Sequence, residues 1–184
     1  GRDGVRVLQP AGAAEQTLPS VSSVVLDSIS YSASGAVVLT GRGPEDGALD
    51  EILRVYLNNR QIVDAKIAAD GSFEIELQDV EIGVYTLRLD RLDAQGRVTS
   101  RFETPFQRED PETLARFNQS LEALEGPERL AASVVTVQPG VTLWGIASTR
   151  YGDGFSYLKV FEANKDQIRN PDLIYPGQVF DLPD

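Results

Sequence analysis

The sequence predicts a multidomain α+β chain, an all-β sandwich followed by a small strand–helix–helix–strand module. Three observations predict it. From Ser23 to about Gln107, apolar and polar residues alternate with period two, and turn residues recur at regular spacing. Near Asp110 the period becomes helical. From Val134 onward, two short apolar strands flank two helical stretches. A chain of 184 residues, 41% hydrophobic and 24% charged, is long and apolar enough for two cores.

Residues 1–22 open the chain. The stretch GRDGVRVLQP reads either as the stub of an upstream strand or as a tail, and AGAAEQTLPSVS reads as linker. The chain has no Met, which points to a processed form or an excised fragment. No signal peptide is visible in the polar first ten residues.

Residues 23–107 hold seven expected strands: Val24–Tyr31, Ala36–Gly41, Leu53–Leu57, Gln61–Ala68, Ser72–Leu77, Gly83–Asp90 and Arg97–Pro105. Asn58-Asn59 and Asp70-Gly71 suit tight turns because Asn and Gly adopt the left-handed backbone that such turns need. Gln95-Gly96 separates the last two strands. In SFEIEL, Phe73, Ile75 and Leu77 share one face while Glu74 and Glu76 take the other, as a two-sheet core requires. The phrases YLNNRQIVDAKIAADGSFEI and GVYTLRLDRLDAQGRV resemble the middle and the end of bacterial Ig-like domains. The region therefore resembles an Ig-like or fibronectin-III-like sandwich, a fold that names no function by itself.

Residues 108–133 are expected to be a helical linker. Leu114, Phe117, Leu121 and Leu124 form one helical stripe. Asp110 suits the N-cap, Pro111 the first turn, and Gly126-Pro127 the end. The stripe reads either as an oligomerisation seam or as a face docked on a neighbouring domain. The change of period also leads us to expect two separately folded domains, with protease-sensitive chain between them.

Residues 134–184 are the most specific part. Val134–Val137 is a short strand, Pro139-Gly140 a turn, and Thr142 the N-cap of a helix that stops at Gly152. A second helix is expected from about Phe155 to Asn164, with Tyr157, Leu158, Val160 and Phe161 available for burial. A long turn through Asn170-Pro171 and Pro176-Gly177 leads to a strand at Val179–Leu182. The module resembles the LysM family over its whole length. The resemblance rests on Pro139-Gly140-x-Thr142-Leu143-Trp144-x-Ile146-Ala147, Tyr151-Gly152, Glu162-Ala163-Asn164 and Ile174-x-Pro176-Gly177-Gln178-x-Phe180-x-Leu182-Pro183.

That resemblance implies a βααβ fold and recognition of N-acetylglucosamine polymers in a shallow groove between two loops. The first loop carries Gly140, Val141, Thr142 and Leu143; the second carries Asn170, Asp172, Leu173, Ile174 and Tyr175. Gly140 lets backbone approach the sugar, and Leu173 and Ile174 suit the acetamide methyl. Each residue also has a structural role. Thr142 caps a helix, while Leu143, Trp144, Ile146, Tyr157 and Phe161 suit the core. Asn164 suits bonds to loop backbone. Tyr175 is equally suited to stacking on a sugar or to covering the strand pair. Two features depart from the family: Val141 stands where a polar residue is usual, and the loop Lys165–Tyr175 is longer than in many members.

Composition narrows the function. There is no His and no Cys, which removes the Ser-His-Asp triad, thiolate zinc sites and most transition-metal sites. The net charge of −11 includes no net basic segment, so neither nucleic acid nor an anionic lipid surface is an expected partner. No apolar run approaches the length of a membrane span. The expectation is a non-catalytic peptidoglycan-binding protein of the bacterial cell envelope, in the periplasm, with no cofactor and no metal. The module would anchor to the wall, and the sandwich would space or present it. The alternative is a structural protein whose module has lost sugar binding and contacts another envelope protein. Purified chain incubated with peptidoglycan is expected to release no new reducing ends, and a chelator is expected to leave its circular dichroism unchanged. Either change would contradict the non-catalytic, metal-free reading.

Overall fold

The computed structural model describes residues 23–44, 51–122 and 134–183, without the side chains of 120–122 and 134. The expected linker 1–22, the side chain of Leu121, Leu124 and the Gly126-Pro127 helix stop lie outside the described residues. The architecture is α+β: two antiparallel sheets followed by a βααβ module.

All seven expected strands form: β1 (Val25–Tyr31), β2 (Val37–Arg42), β3 (Ile52–Leu57), β4 (Arg60–Ala65), β5 (Ser72–Leu77), β6 (Gly83–Leu92) and β7 (Val98–Arg108). They pair as β1-β2-β5 and β4-β3-β6-β7. Asn58 and Asn59 both take positive φ, +49° and +64°, and close the β3–β4 hairpin. The core lies between the sheets, with Ile29, Val37, Leu39 and Ile75 from one and Leu53, Val55, Leu87, Leu89 and Phe106 from the other.

Strand β7 runs three residues beyond the expected stop at Pro105, and its pairing with β6 continues to Gly83↔Arg108. Proline is tolerated there because β7 is the edge of its sheet, so no third strand needs the missing N–H. Strand β4 ends at Ala65 rather than Ala68.

The outer face of the four-stranded sheet carries a row of alternating charge. Asp64, Arg54, Asp90 and Arg101 are cross-strand neighbours on β4, β3, β6 and β7. Arg54 holds Asp64 at 2.7 and 2.8 Å, and Arg101 holds Asp90 at 2.7 and 2.9 Å. The Arg54 hydrogen bonds hold the Asp64 carboxyl below its usual range. Asp90 is buried, and the Arg101 fork compensates its charge.

Helix α1 (Pro111–Glu122) starts as expected, with Asp110 Oδ1 accepting the Glu112 N–H at 3.1 Å. Leu114 and Phe117 are buried in the core cluster of the sandwich. The described part of the stripe therefore docks on the β domain.

The C-terminal module comprises β8 (Val134–Thr136), α2 (Leu143–Tyr151), a 3-10 turn (Gly154–Ser156), α3 (Tyr157–Ala163) and β9 (Val179–Asp181). The second helix is shorter than expected because Asp153 caps the 3-10 turn, its Oδ1 accepting the Phe155 N–H at 3.0 Å. Strands β8 and β9 pair antiparallel, Val134↔Asp181 to Thr136↔Val179. Val137, Leu143, Ile146, Val160, Ile168, Phe180 and Leu182 form the module's own core.

The module packs directly on the sandwich. Strand periodicity sends neighbouring β9 residues to opposite faces. Val179 enters the sandwich cluster and Phe180 enters the module core. The Tyr31 hydroxyl donates to Gly177 O at 2.7 Å and accepts the Glu109 N–H at 3.0 Å. The Gln107 N–H donates to Pro176 O at 2.8 Å. Glu109 Oε2 accepts the Val179 N–H at 3.0 Å.

Burial pushes the Tyr31 phenol from 10.0 up to about 12. A phenol whose folded pKa lies above its unfolded one contributes stability below pH 10 and loses it as the pH rises toward 12. The unfolded chain has by then released a proton that the folded chain still holds. The shift corresponds to roughly 2–3 kcal/mol. Urea unfolding at pH 9 and pH 11.5 is expected to show a steeper alkaline loss of stability in the native chain than in Tyr31→Phe. Equal slopes would mean that Tyr31 is not buried as described.

Candidate functional site

The two loops start from neighbouring points. Beyond β8 and β9 the ladder continues: the Val137 N–H donates to Gln178 O at 2.8 Å and the Gly177 N–H to Val137 O at 2.9 Å. The base of the first loop therefore lies against the base of the second.

The first loop turns at Gly140, whose φ of +78° is a conformation that L side chains rarely adopt. A Cβ built there would meet nothing within 4 Å, so the surface above it is open. Thr142 is the N-cap: its Oγ1 accepts the Gly145 N–H at 3.1 Å, and its own carbonyl accepts the Ile146 N–H at 2.9 Å. Val141 is 37% exposed, so the position that is usually polar in LysM sequences presents an apolar side chain to solvent. Leu143 is only 2% exposed and belongs to the module core. The Leu143 side chain faces inward, as its core role led us to expect, because it is the first apolar residue of α2; this leaves its backbone for the expected glycan contact.

The second loop is held by its own polar groups. Asn170 Oδ1 accepts the Asp172 N–H, and Asn170 O accepts the Leu173 N–H, each at 2.9 Å. Gln178 Oε1 accepts the Tyr175 N–H at 2.6 Å. Asn170 and Asp172 are exposed, and Ile174 and Tyr175 are half-buried, with Ile174 packed against the module core. Leu173 is 59% exposed, the apolar side chain that this loop offers to a ligand. The arrangement places small apolar surface on both loops, without charge from the first loop, whereas Asp172 adds one carboxylate to the second.

Asn164 does more than the sequence suggested. Its Oδ1 accepts the Asp181 N–H and its Nδ2 donates to Asp181 O, both at 2.8 Å, and Nδ2 also donates to Val160 O at 2.7 Å. The side-chain amide thus pairs with β9 as a third strand would.

Trp144 was expected in the core and is 57% exposed. Its indole lies on Gly154: a Cβ on that glycine would fall 1.9 Å from Trp144 Cε2. Phe155 is 79% exposed and Leu158, expected to be buried, is exposed too. Sequence reasoning missed this surface because Trp144 and Leu158, at helical positions, read as residues for burial. Its one signal was Gly154, a glycine before an aromatic where a helix was expected to start.

Among the described residues no group of three or more His, Cys, Asp or Glu is placed to hold a metal ion. No helix among them is long and apolar enough to cross a membrane.

Comparison with known proteins agrees with the module. Residues 135–183 are a LysM domain, whereas the N-terminal β region is assigned to no family. The chain is 46% identical over 54 residues to the potassium binding protein Kbp of Escherichia coli, a match covering 29% of this chain and 36% of that protein. It is 43% identical over 61 residues to an uncharacterized protein of Deinococcus radiodurans, covering 33% of this chain and 23% of that one. The chain thus matches only a minor part of either relative's length. No solved structure matches it.

Because Trp144 is the only tryptophan, its fluorescence reports this surface alone. Gly154→Ala is expected to push the indole off its seat and move the emission to longer wavelength. Unchanged emission would show that the ring does not rest on that glycine.

Proposed function

We propose that this chain is a non-catalytic, peptidoglycan-binding protein of the bacterial cell envelope, acting in the periplasm. It grips N-acetylglucosamine chains between Gly140–Thr142 and Asn170–Tyr175. The observation that carries the reading is the LysM domain at 135–183, with Leu173 exposed on its second loop. The open space at Gly140 suits backbone contact with an acetamide group, and Leu173 with Ile174 suits its methyl. The preceding sandwich, Ig-like in its strand pattern, presents the module. The likeness to the potassium binding protein covers 29% of this chain, and the proposal rests on the two loops rather than on that protein's cation.

A second reading has its own observation. Val141, Trp144, Phe155 and Leu158 leave apolar surface in water beside the first loop, and such surface also suits an envelope protein partner.

One shallow groove on one module covers few sugar rings, so affinity for short oligomers should be weak and should grow with chain length. Contacts to a neutral ligand make it nearly independent of salt. Nuclear magnetic resonance titration with N-acetylglucosamine oligomers is expected to shift the amides of both loops. Leu173→Asp is expected to weaken binding at least about tenfold, because a charge in an apolar pocket costs more than roughly 1.4 kcal/mol. The fold should survive, since Leu173 is exposed. Shifts confined to the Trp144 face with added protein partners, and none with long peptidoglycan fragments, would favour the second reading. Loop shifts on exchanging sodium for potassium, without glycan, would favour a cation ligand.

A further inference from the structure

The β sandwich holds the bases of both loops. Strand β1 is an edge of its sheet, and the peptide groups of Ile29 on its open side are taken by one side chain from the first loop. Gln138 Oε1 accepts the Ile29 N–H at 2.6 Å, and Gln138 Nε2 donates to Ile29 O at 2.9 Å. The same Nε2 donates to Thr136 O at 2.9 Å, so the side chain is fixed from both ends. Gln138 is the residue before the Pro139-Gly140 turn, and its own carbonyl accepts the Val141 N–H.

The second loop ends on the sandwich as well. Pro176 O accepts the Gln107 N–H, and Gly177 O accepts the Tyr31 hydroxyl. Gly177, at φ +94°, sits so close to the β7 residues that a Cβ would fall 2.4 Å from Gln107 O and 2.5 Å from the Phe106 ring. Only glycine fits that gap. Two residues on, the Val179 N–H goes to the buried carboxylate of Glu109.

From these contacts we infer that the sandwich is part of the binding site: Gln138 and Tyr31, with Glu109 behind them, are positioning residues that fix the spacing of the two glycan-binding loops. The inference rests on the glycan reading of those loops. Neither loop has an extended strand ladder of its own, since β8 and β9 are three residues each. Left to that ladder, the loop bases would fray on the time scale of local opening, and the groove would be formed only part of the time. A site formed for a fraction of the time binds with its affinity reduced by that fraction. Bonds from β1 and β7 to Gln138, Pro176 and Gly177 remove this loss. The sandwich thereby raises glycan affinity without touching the sugar.

The test uses the full chain with two substitutions that keep volume and remove bonds. Gln138→Leu deletes both bonds to Ile29. Tyr31→Phe deletes the donor to Gly177 O. Ile75→Val, in the sandwich core away from the module, controls for a general loss of stability. Amide hydrogen exchange is read at Val141, Leu173, Tyr175 and Gly177, with Leu39 and Ile146 as core references, and affinity is read by titration with N-acetylglucosamine oligomers. Expected are at least tenfold faster loop exchange and several-fold weaker binding in both junction variants, with core exchange unchanged, and neither effect in Ile75→Val. Unchanged loop exchange in Gln138→Leu and Tyr31→Phe overturns the inference. So does faster exchange without weaker binding, or weaker binding of the same size in Ile75→Val. If the native chain binds no oligomer, the glycan reading itself fails. That failure is seen before any substitution is compared, and the exchange data still decide whether the sandwich holds the loops.

Discussion

A peptide group shut away from water has to find a partner, and the C-terminal module has few strands with which to supply one. Its sheet is two strands of three residues. Three side chains stand in for missing strands. The Asn164 amide pairs with both polar groups of Asp181. The Gln138 amide pairs with both polar groups of Ile29 on the sandwich edge. The Glu109 carboxylate takes the Val179 N–H. A primary amide offers an acceptor and a donor at the spacing of a peptide, which is why Asn and Gln occupy the two places where an N–H and a C=O must be met together.

The consequence is that packing continues from one part of the chain to the other. Strand β9 is buried on two sides, Val179 toward the sandwich and Phe180 toward the module. Val179, which belongs to the module by sequence, completes the sandwich cluster, and residues of β1 and β7 complete the turns of the module. Helix α1 enters the same cluster through Leu114 and Phe117. The helical segment is thus a packed element at the junction as well as a connection along the chain.

The rest of the sandwich surface has a different character. The row Asp64, Arg54, Asp90 and Arg101 places opposite charges side by side across four strands, the arrangement in which cross-strand charged pairs stabilise a sheet. It satisfies itself and leaves no single-signed field. The LysM domain, by contrast, leaves Leu173 on one loop and Trp144 and Phe155 on the helical face uncovered. The sandwich also exposes Ile82, Val84 and Val98, so the functional argument belongs with the C-terminal module because that is where the LysM domain lies.

Local rules in the sequence determined most of the elements. Alternation located seven strands, Asn58-Asn59 and Asp70-Gly71 located their turns, and Thr142 and Gly152 bounded α2, because these signals act over a few neighbouring residues. The LysM motifs placed both loops for the same reason. Strand ends were less legible: Pro105 looks like a stop until its strand is known to be an edge. The side-chain directions of Leu143 and Trp144 were decided only by the folded module, since adjacent helical residues face about 100° apart and composition does not say which one turns inward. The junction was decided by tertiary structure alone. Tyr31, Gln107, Glu109, Gln138 and Gly177 are scattered over most of the chain and carry no shared pattern. Their bonds exist because two sheets, a helix and a short strand pair bring separate peptide groups to one place.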